Sequence, residues 1–184
     1  MRIDAAVASM TEATIRSLHR LEPAEAADVA GQIISAASLA EALVGKSIDL
    51  LVDESGIKST RLGRRLIQDS AESYHQTWDG RYGILRDAFG VQLAGNREAQ
   101  RLNVVVDVRN AIVHGEGQLT SRQTKKLTNV LSMRRQINEV LESEVQGKKI
   151  VLSPTAGRCA IRVASDYALA FDAAIGKARL DLLT

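Results

Sequence analysis

Apolar residues recur at helical spacing along most of this chain, interrupted by short polar or glycine-bearing links. The pattern predicts a first helix from about Ile3 to Leu21 and a second with Pro23 in its first turn, ending near Gly45. Ser47 suits the cap of a short third piece ending before Gly56. The basic segment STRLGRRLIQDSAESYH predicts another helix. Thr77 suits the cap of a helix that stops at Gly90, and Asn96 that of a helix that stops at Gly115. Thr120 and Gln123 form the sequence signature of a capping box, predicting a long helix to about Val145, with Gly147 ending it. KKIVLS reads as short and extended, and Ser153-Pro154 as the start of a last helix. With no strand-rich region and no internal repeat, the fold class is all-α, a helical bundle with short connections.

One of these helices breaks the amphipathic rule. On a wheel of residues 102 to 114, Val104, Val105, Val106, Val108, Ala111, Ile112 and Val113 cover most of the circumference, predicting burial on nearly all sides. Yet Asn103, Asp107, Asn110 and His114 line up as one polar stripe. Arg109 falls among Leu102, Val105, Val106, Ile112 and Val113, inside the apolar sector. A guanidinium there costs several kcal/mol (order of magnitude ~3) unless a partner or an open groove receives it. Its stem can pack on the valines while its head reaches a groove. His114, in the last turn, is a residue type suited to proton transfer. The plainer alternatives are a structural histidine, an Arg109–Asp107 ion pair, and a polar stripe that fixes a subunit contact.

Trp78, Tyr82, Leu85 and Phe89 lie on one helical face. They read first as a core stripe and second as a base-stacking platform.

Length and composition narrow the class. The 184 residues, 45% hydrophobic, suffice for one domain with a core. Residues 1–56 read either as an N-terminal extension or as part of the bundle, beside a core over 57–184. Two prolines and 3% aromatics disfavour an all-β fold. The lone Cys159 fits a reducing, cytoplasmic setting and reads as a small buried side chain. No uninterrupted apolar stretch marks a membrane span or signal peptide. His19, His75, His114 and Cys159 show no metal-ligand spacing, so neither metal nor cofactor is expected.

Charge is uneven. Residues 1–56 hold four Lys/Arg against nine Asp/Glu, whereas 57–184 hold twenty against thirteen. The later excess suits a polyanion such as RNA. Arg122, Lys125 and Lys126, with Arg134 and Arg135, are candidates for backbone contact, against the plainer reading of a solvated face.

Arg109-Asn110, three residues, then His114-Gly115 resembles the signature of the HEPN superfamily. WDGRYGILRDAFG upstream, RLNVVVDVRNAIVHGEGQLTSRQ around the motif and the later KKIVLSP are similar to the bacterial RiboL-PSP-HEPN subgroup. The likeness is best over residues 78–123; residues 1–56 carry none of it. The resemblance implies a bundle that dimerises through the motif helix and acts as a metal-independent endoribonuclease of toxin or anti-phage defence type. It implies Arg109 and His114 as the catalytic pair, with Asn110 and, less closely matched, Asp107 in support; Asn103 completes the stripe. RNA, a second copy, and an antitoxin, nucleotidyltransferase or effector protein are the implied partners. Some members of the superfamily only bind RNA or nucleotide, so a non-catalytic binding module stays open, with a plain helical adaptor behind it. The small-residue face of AADVAGQIISAASLAEALVG suits a protein partner in the second case.

Overall fold

A computed structural model describes residues 3–22, 28–93, 95–120, 123–124 and 127–181. Among them run seven helices and one hairpin. The helices are α1 (Ile3–His19), α2 (Val29–Glu54), α3 (Arg61–Gln76), α4 (Trp78–Phe89), α5 (Arg97–Gly115), α6 (Leu127–Leu141) and α7 (Ala156–Asp181). A 3₁₀ turn over Ile57–Ser59 precedes α3. The strands β1 (Glu144–Gln146) and β2 (Lys149–Val151) pair antiparallel, with Val145 opposite Ile150. The all-α expectation holds, with this hairpin as the exception. No helix among the described residues is long and apolar enough to cross a membrane.

α7 is the axis of the bundle. Its buried residues Ala160, Ile161, Ala164, Tyr167, Ala168, Phe171 and Ile175 recur at three and four, giving a wide apolar stripe. α1, α2, α5 and α6 pack against α7, and one hydrophobic core runs through them. Close approach of α2 and α7 needs Gly157, where a Cβ would collide with the side chain of Gln32. The Gln32 amide is itself held by the Leu21 carbonyl at 2.9 Å.

The expected break near Gly45 does not occur. α2 starts at the Asp28 cap, whose carboxylate accepts from Gly31 N–H at 2.9 Å, and runs unbroken to Glu54. Ala40, Leu43, Val44, Ser47, Ile48 and Leu51 stay on one buried face, so packing outweighs the roughly 1 kcal/mol propensity cost of a mid-helix glycine. Ser47 does not cap a new helix; its hydroxyl donates to the Leu43 carbonyl one turn back, at 2.8 Å. Pro23 lies outside the described residues.

The helix expected to reach Val145 stops at Leu141 instead. Glu142 adopts a left-handed conformation with φ 52°, and Val145 points into the core from β1. Gly147, with φ 62°, turns the hairpin rather than ending a helix. The extended reading of KKIVLS matches β2. The aromatic stripe of α4 serves the core: Tyr82 and Leu85 are buried, and Trp78 and Phe89 pack against them.

Candidate functional site

α5 carries the polar stripe, and its two ends are fixed locally. Asn96 caps the start by accepting from Glu98 N–H at 2.7 Å. The helix closes at Gly115, where Glu116 turns left-handed at φ 51° and Gly117 N–H reaches back to the Ala111 carbonyl at 2.9 Å. The hairpin then clamps the chain leaving α5. Ile150 N–H donates to the Gly117 carbonyl at 2.9 Å, and Leu119 N–H to the Lys148 carbonyl at 2.8 Å. The turn that holds His114 is thereby anchored to the rest of the bundle.

Val104, Val105, Val108 and Ala111 are buried. Val106 and Ile112 are only half-buried, and Val113 is 46% exposed. Burial on nearly all sides is therefore corrected: one flank of α5, at its C-terminal end, faces outward, and His114 sits on it, exposed.

Arg109 is half-buried. Its Nη1 donates to the Asn110 side-chain oxygen at 2.9 Å, while its Nε is buried with no partner among the described residues. The expected alternative, an ion pair with Asp107, is not how Arg109 is held. The Asp107 carboxylate instead accepts from the Gln123 amide at 3.1 Å, and the same nitrogen donates to the Asp107 carbonyl at 3.1 Å.

Gln123 reaches Asp107 because the reciprocal Thr120–Gln123 bonds form, although the helix expected to start there does not: residues 123–124 are a turn and α6 begins at Leu127. Thr120 N–H donates to Gln123 Oε1 at 2.8 Å, and Gln123 N–H returns to Thr120 Oγ1 at 3.4 Å. That reciprocal pair turns the amide nitrogen of Gln123 toward α5.

Beside this contact lies an open cleft of about 480 Å³. Asn103, Val106, Asp107 and Asn110 form its α5 wall, Thr120 and Gln123 flank it, and Gln76, Thr77, Trp78 and Asp79 close it from the α3–α4 junction. Thr77 caps α4, its hydroxyl accepting from Gly80 N–H at 3.0 Å. Trp78 packs on Tyr82 and edge-on against the buried Tyr167, ring centroids 5.6 and 5.9 Å away.

Under Trp78 lies an unforeseen group. Arg81 is buried, 4% exposed, with its guanidinium carbon 5.4 Å from the indole centroid. Its Nη2 donates to Glu41 at 2.7 Å and to the His75 carbonyl at 2.5 Å. Burial pushes the Tyr82 phenol up to about 12.

Three members of the stripe, Asn103, Asp107 and Asn110, thus line the cleft. Arg109 and His114 do not, although Asn110 joins the cleft wall to the Arg109 guanidinium. Arg122, Lys125 and Lys126 lie outside the described residues. Arg134 donates to the Val145 carbonyl at 2.8 Å and Arg135 to Glu139 at 2.7 Å, so both also serve local structure. Gln76, Thr77, Asp79, Thr120 and Gln123 are cleft residues that sequence reasoning did not assign to a site; Thr77, Thr120 and Gln123 are legible in the sequence only as capping residues. Among the described residues no cluster of three His, Cys, Asp or Glu side chains could hold a metal ion. Comparison with protein-family models, curated proteins and solved structures finds no match to this chain.

Proposed function

We propose that the chain is a HEPN-type endoribonuclease, working as a homodimer in which two copies of α5 bring Arg109 and His114 to one composite cleft. The observation that carries the reading is the Arg109–Asn110 contact on the helix whose last turn exposes His114. A helix that otherwise buries valines holds a guanidinium through a neutral amide, which leaves its positive charge uncompensated by that bond. Such a charge suits a phosphate.

RNA supplies its own nucleophile, so the reaction needs proton transfer and charge stabilisation and no metal. His114 takes the proton of a 2′-hydroxyl, whose oxygen bonds to the adjacent phosphorus. The bond from phosphorus to the 5′-oxygen breaks, and His114 of the partner subunit gives that oxygen its proton. The products are a 2′,3′-cyclic phosphate and a 5′-hydroxyl. Arg109 faces the non-bridging oxygens as negative charge grows on them, and Asn110 fixes its head. Arg122, Lys125 and Lys126 guide the backbone. The biological class is a toxin or anti-phage nuclease of the cytoplasm, held by an antitoxin, nucleotidyltransferase or effector partner. The test is incubation of purified protein with cellular RNA in excess EDTA, beside His114→Ala. Cleavage by the wild type alone supports the reading; equal cleavage by both, or by neither, opposes it.

One observation favours a second reading, a non-catalytic RNA- or nucleotide-binding module. The cleft of one protomer is lined without Arg109 or His114. Under that reading RNA binds and no phosphodiester is broken.

A further inference from the structure

We infer that the cleft between the α3–α4 junction and α5 is a nucleobase subsite, and that the base it takes is guanine from single-stranded RNA. The inference deepens the ribonuclease reading by naming the base beside the cut, and rests on it for the identity of the polymer.

The lining chemistry selects the ligand. Asp79 and Asp107 bring carboxylates, and Gln76, Asn103, Asn110 and Gln123 bring side-chain amides. The described lining contains no lysine or arginine. The exposed Asp79 carboxylate favours a group rich in N–H donors. Guanine presents N1–H and the N2 amino group side by side, a donor pair that matches the two oxygens of one carboxylate. Its O6 and N7 are acceptors that amide N–H groups satisfy. Adenine and cytosine offer one donor beside an acceptor on that edge, and uracil one donor between two acceptors. A carboxylate therefore meets an opposing lone pair with each of them.

The cleft is also built before any ligand arrives. Asp107 is held by Gln123, and Gln123 by Thr120, at 3.1 and 2.8 Å. Asp79, exposed in the first turn of α4, faces the same space with its backbone fixed by the Thr77 cap. A volume of about 480 Å³ admits a nucleoside with bridging water. Trp78 and Val106 supply the apolar wall that a flat base needs. Asn110 lines this cleft and holds Arg109, so a base seated here lies next to the guanidinium assigned to the phosphate.

Trp78 is the sole tryptophan of the chain, so its fluorescence reports on this cleft alone. The four nucleoside 5′-monophosphates, GMP, AMP, CMP and UMP, are titrated into purified full-length protein, into Asp79→Asn and into His114→Ala. GMP is expected to quench Trp78 saturably, with at least about ten-fold tighter binding than UMP. Asp79→Asn, checked for folding by circular dichroism, is expected to lose about ten-fold in GMP affinity and leave UMP unchanged. His114→Ala is expected to bind GMP as the wild type does. Equal binding of all four nucleotides, quenching that never saturates, or an unchanged GMP preference in Asp79→Asn overturns the inference. GMP selectivity in a protein that cuts no RNA upholds the subsite and removes the ribonuclease reading; cutting without preference for guanine at the scissile step does the reverse.

Discussion

The guanidinium of Arg109 is held by its own chain neighbour: Nη1 donates to the Asn110 side-chain oxygen at 2.9 Å, and no carboxylate among the described residues takes that place. The acidic residue of the stripe, Asp107, is engaged with Gln123. Arg109 is thereby positioned by a neutral acceptor. In the proposed reaction this arrangement orients the fork without cancelling the charge that the phosphate needs.

Asn110→Ala removes that acceptor and leaves Arg109 in place. A hydrogen bond to a charged group contributes about 1.5–3 kcal/mol, so the account expects a loss of about ten- to a hundred-fold in RNA cleavage rate. Asn110→Asp, which restores an acceptor but adds a countercharge, is expected to recover the melting temperature and not the rate. Single-turnover cleavage and thermal melts of the two variants check this.

His114→Ala is expected to abolish cleavage and leave stability nearly unchanged. The imidazole is exposed, and substitutions at such sites fall within about 0.5 kcal/mol. A fall in melting temperature of many degrees would mean that His114 serves the fold instead of the chemistry.

Glu41→Ala should destabilise the protein by roughly 2 kcal/mol, because it strands the buried guanidinium of Arg81. Glu41 is partly exposed, which keeps the figure below that of a fully buried pair. The double variant Arg81→Met, Glu41→Leu removes charge and partner together and should recover much of the loss. Urea denaturation of the three proteins measures it.

Stability should fall at alkaline pH. Burial raises the Tyr82 phenol to about 12, above the ordinary value of 10 that it regains on unfolding. The unfolded chain therefore releases this proton first, and the stability present below pH 10 is lost as pH rises toward 12. The contribution is about 2–3 kcal/mol at most. Urea melts at pH 8 and pH 11 should show a smaller alkaline loss in Tyr82→Phe than in the wild type; equal losses would place the titration elsewhere.

Local chemistry was readable in the chain and tertiary placement was not. Asn96 and Gly115 bound α5, and Thr77 and Gly90 bound α4, because caps act within one turn of their own residue. The same logic misled at Gly45 and Ser47, where burial of one continuous face carried α2 through a weak former. It failed again at Val145, whose apolar side chain suits a strand as well as a helix and which lies in the hairpin. The Asn103–His114 stripe was visible as spacing. That three of its members would share a cleft with Gln76, Asp79 and Gln123 depends on how α4, α5 and the segment after α5 pack, which no local pattern encodes. Arg81 lies among aromatic positions whose spacing reads as an apolar stripe, and that pattern hides a buried cation.

In the proposed reaction the 2′-hydroxyl is the nucleophile and His114 moves its proton. The most direct measurement is mass analysis of the ends formed on a defined RNA oligonucleotide in excess EDTA, beside the same oligonucleotide with a 2′-O-methyl group at the cut nucleotide. The expected result is a 2′,3′-cyclic phosphate and a 5′-hydroxyl from the unmodified RNA, no cut at the methylated position, and no products from His114→Ala. A cut at the methylated position, or identical products from wild type and His114→Ala, would contradict it.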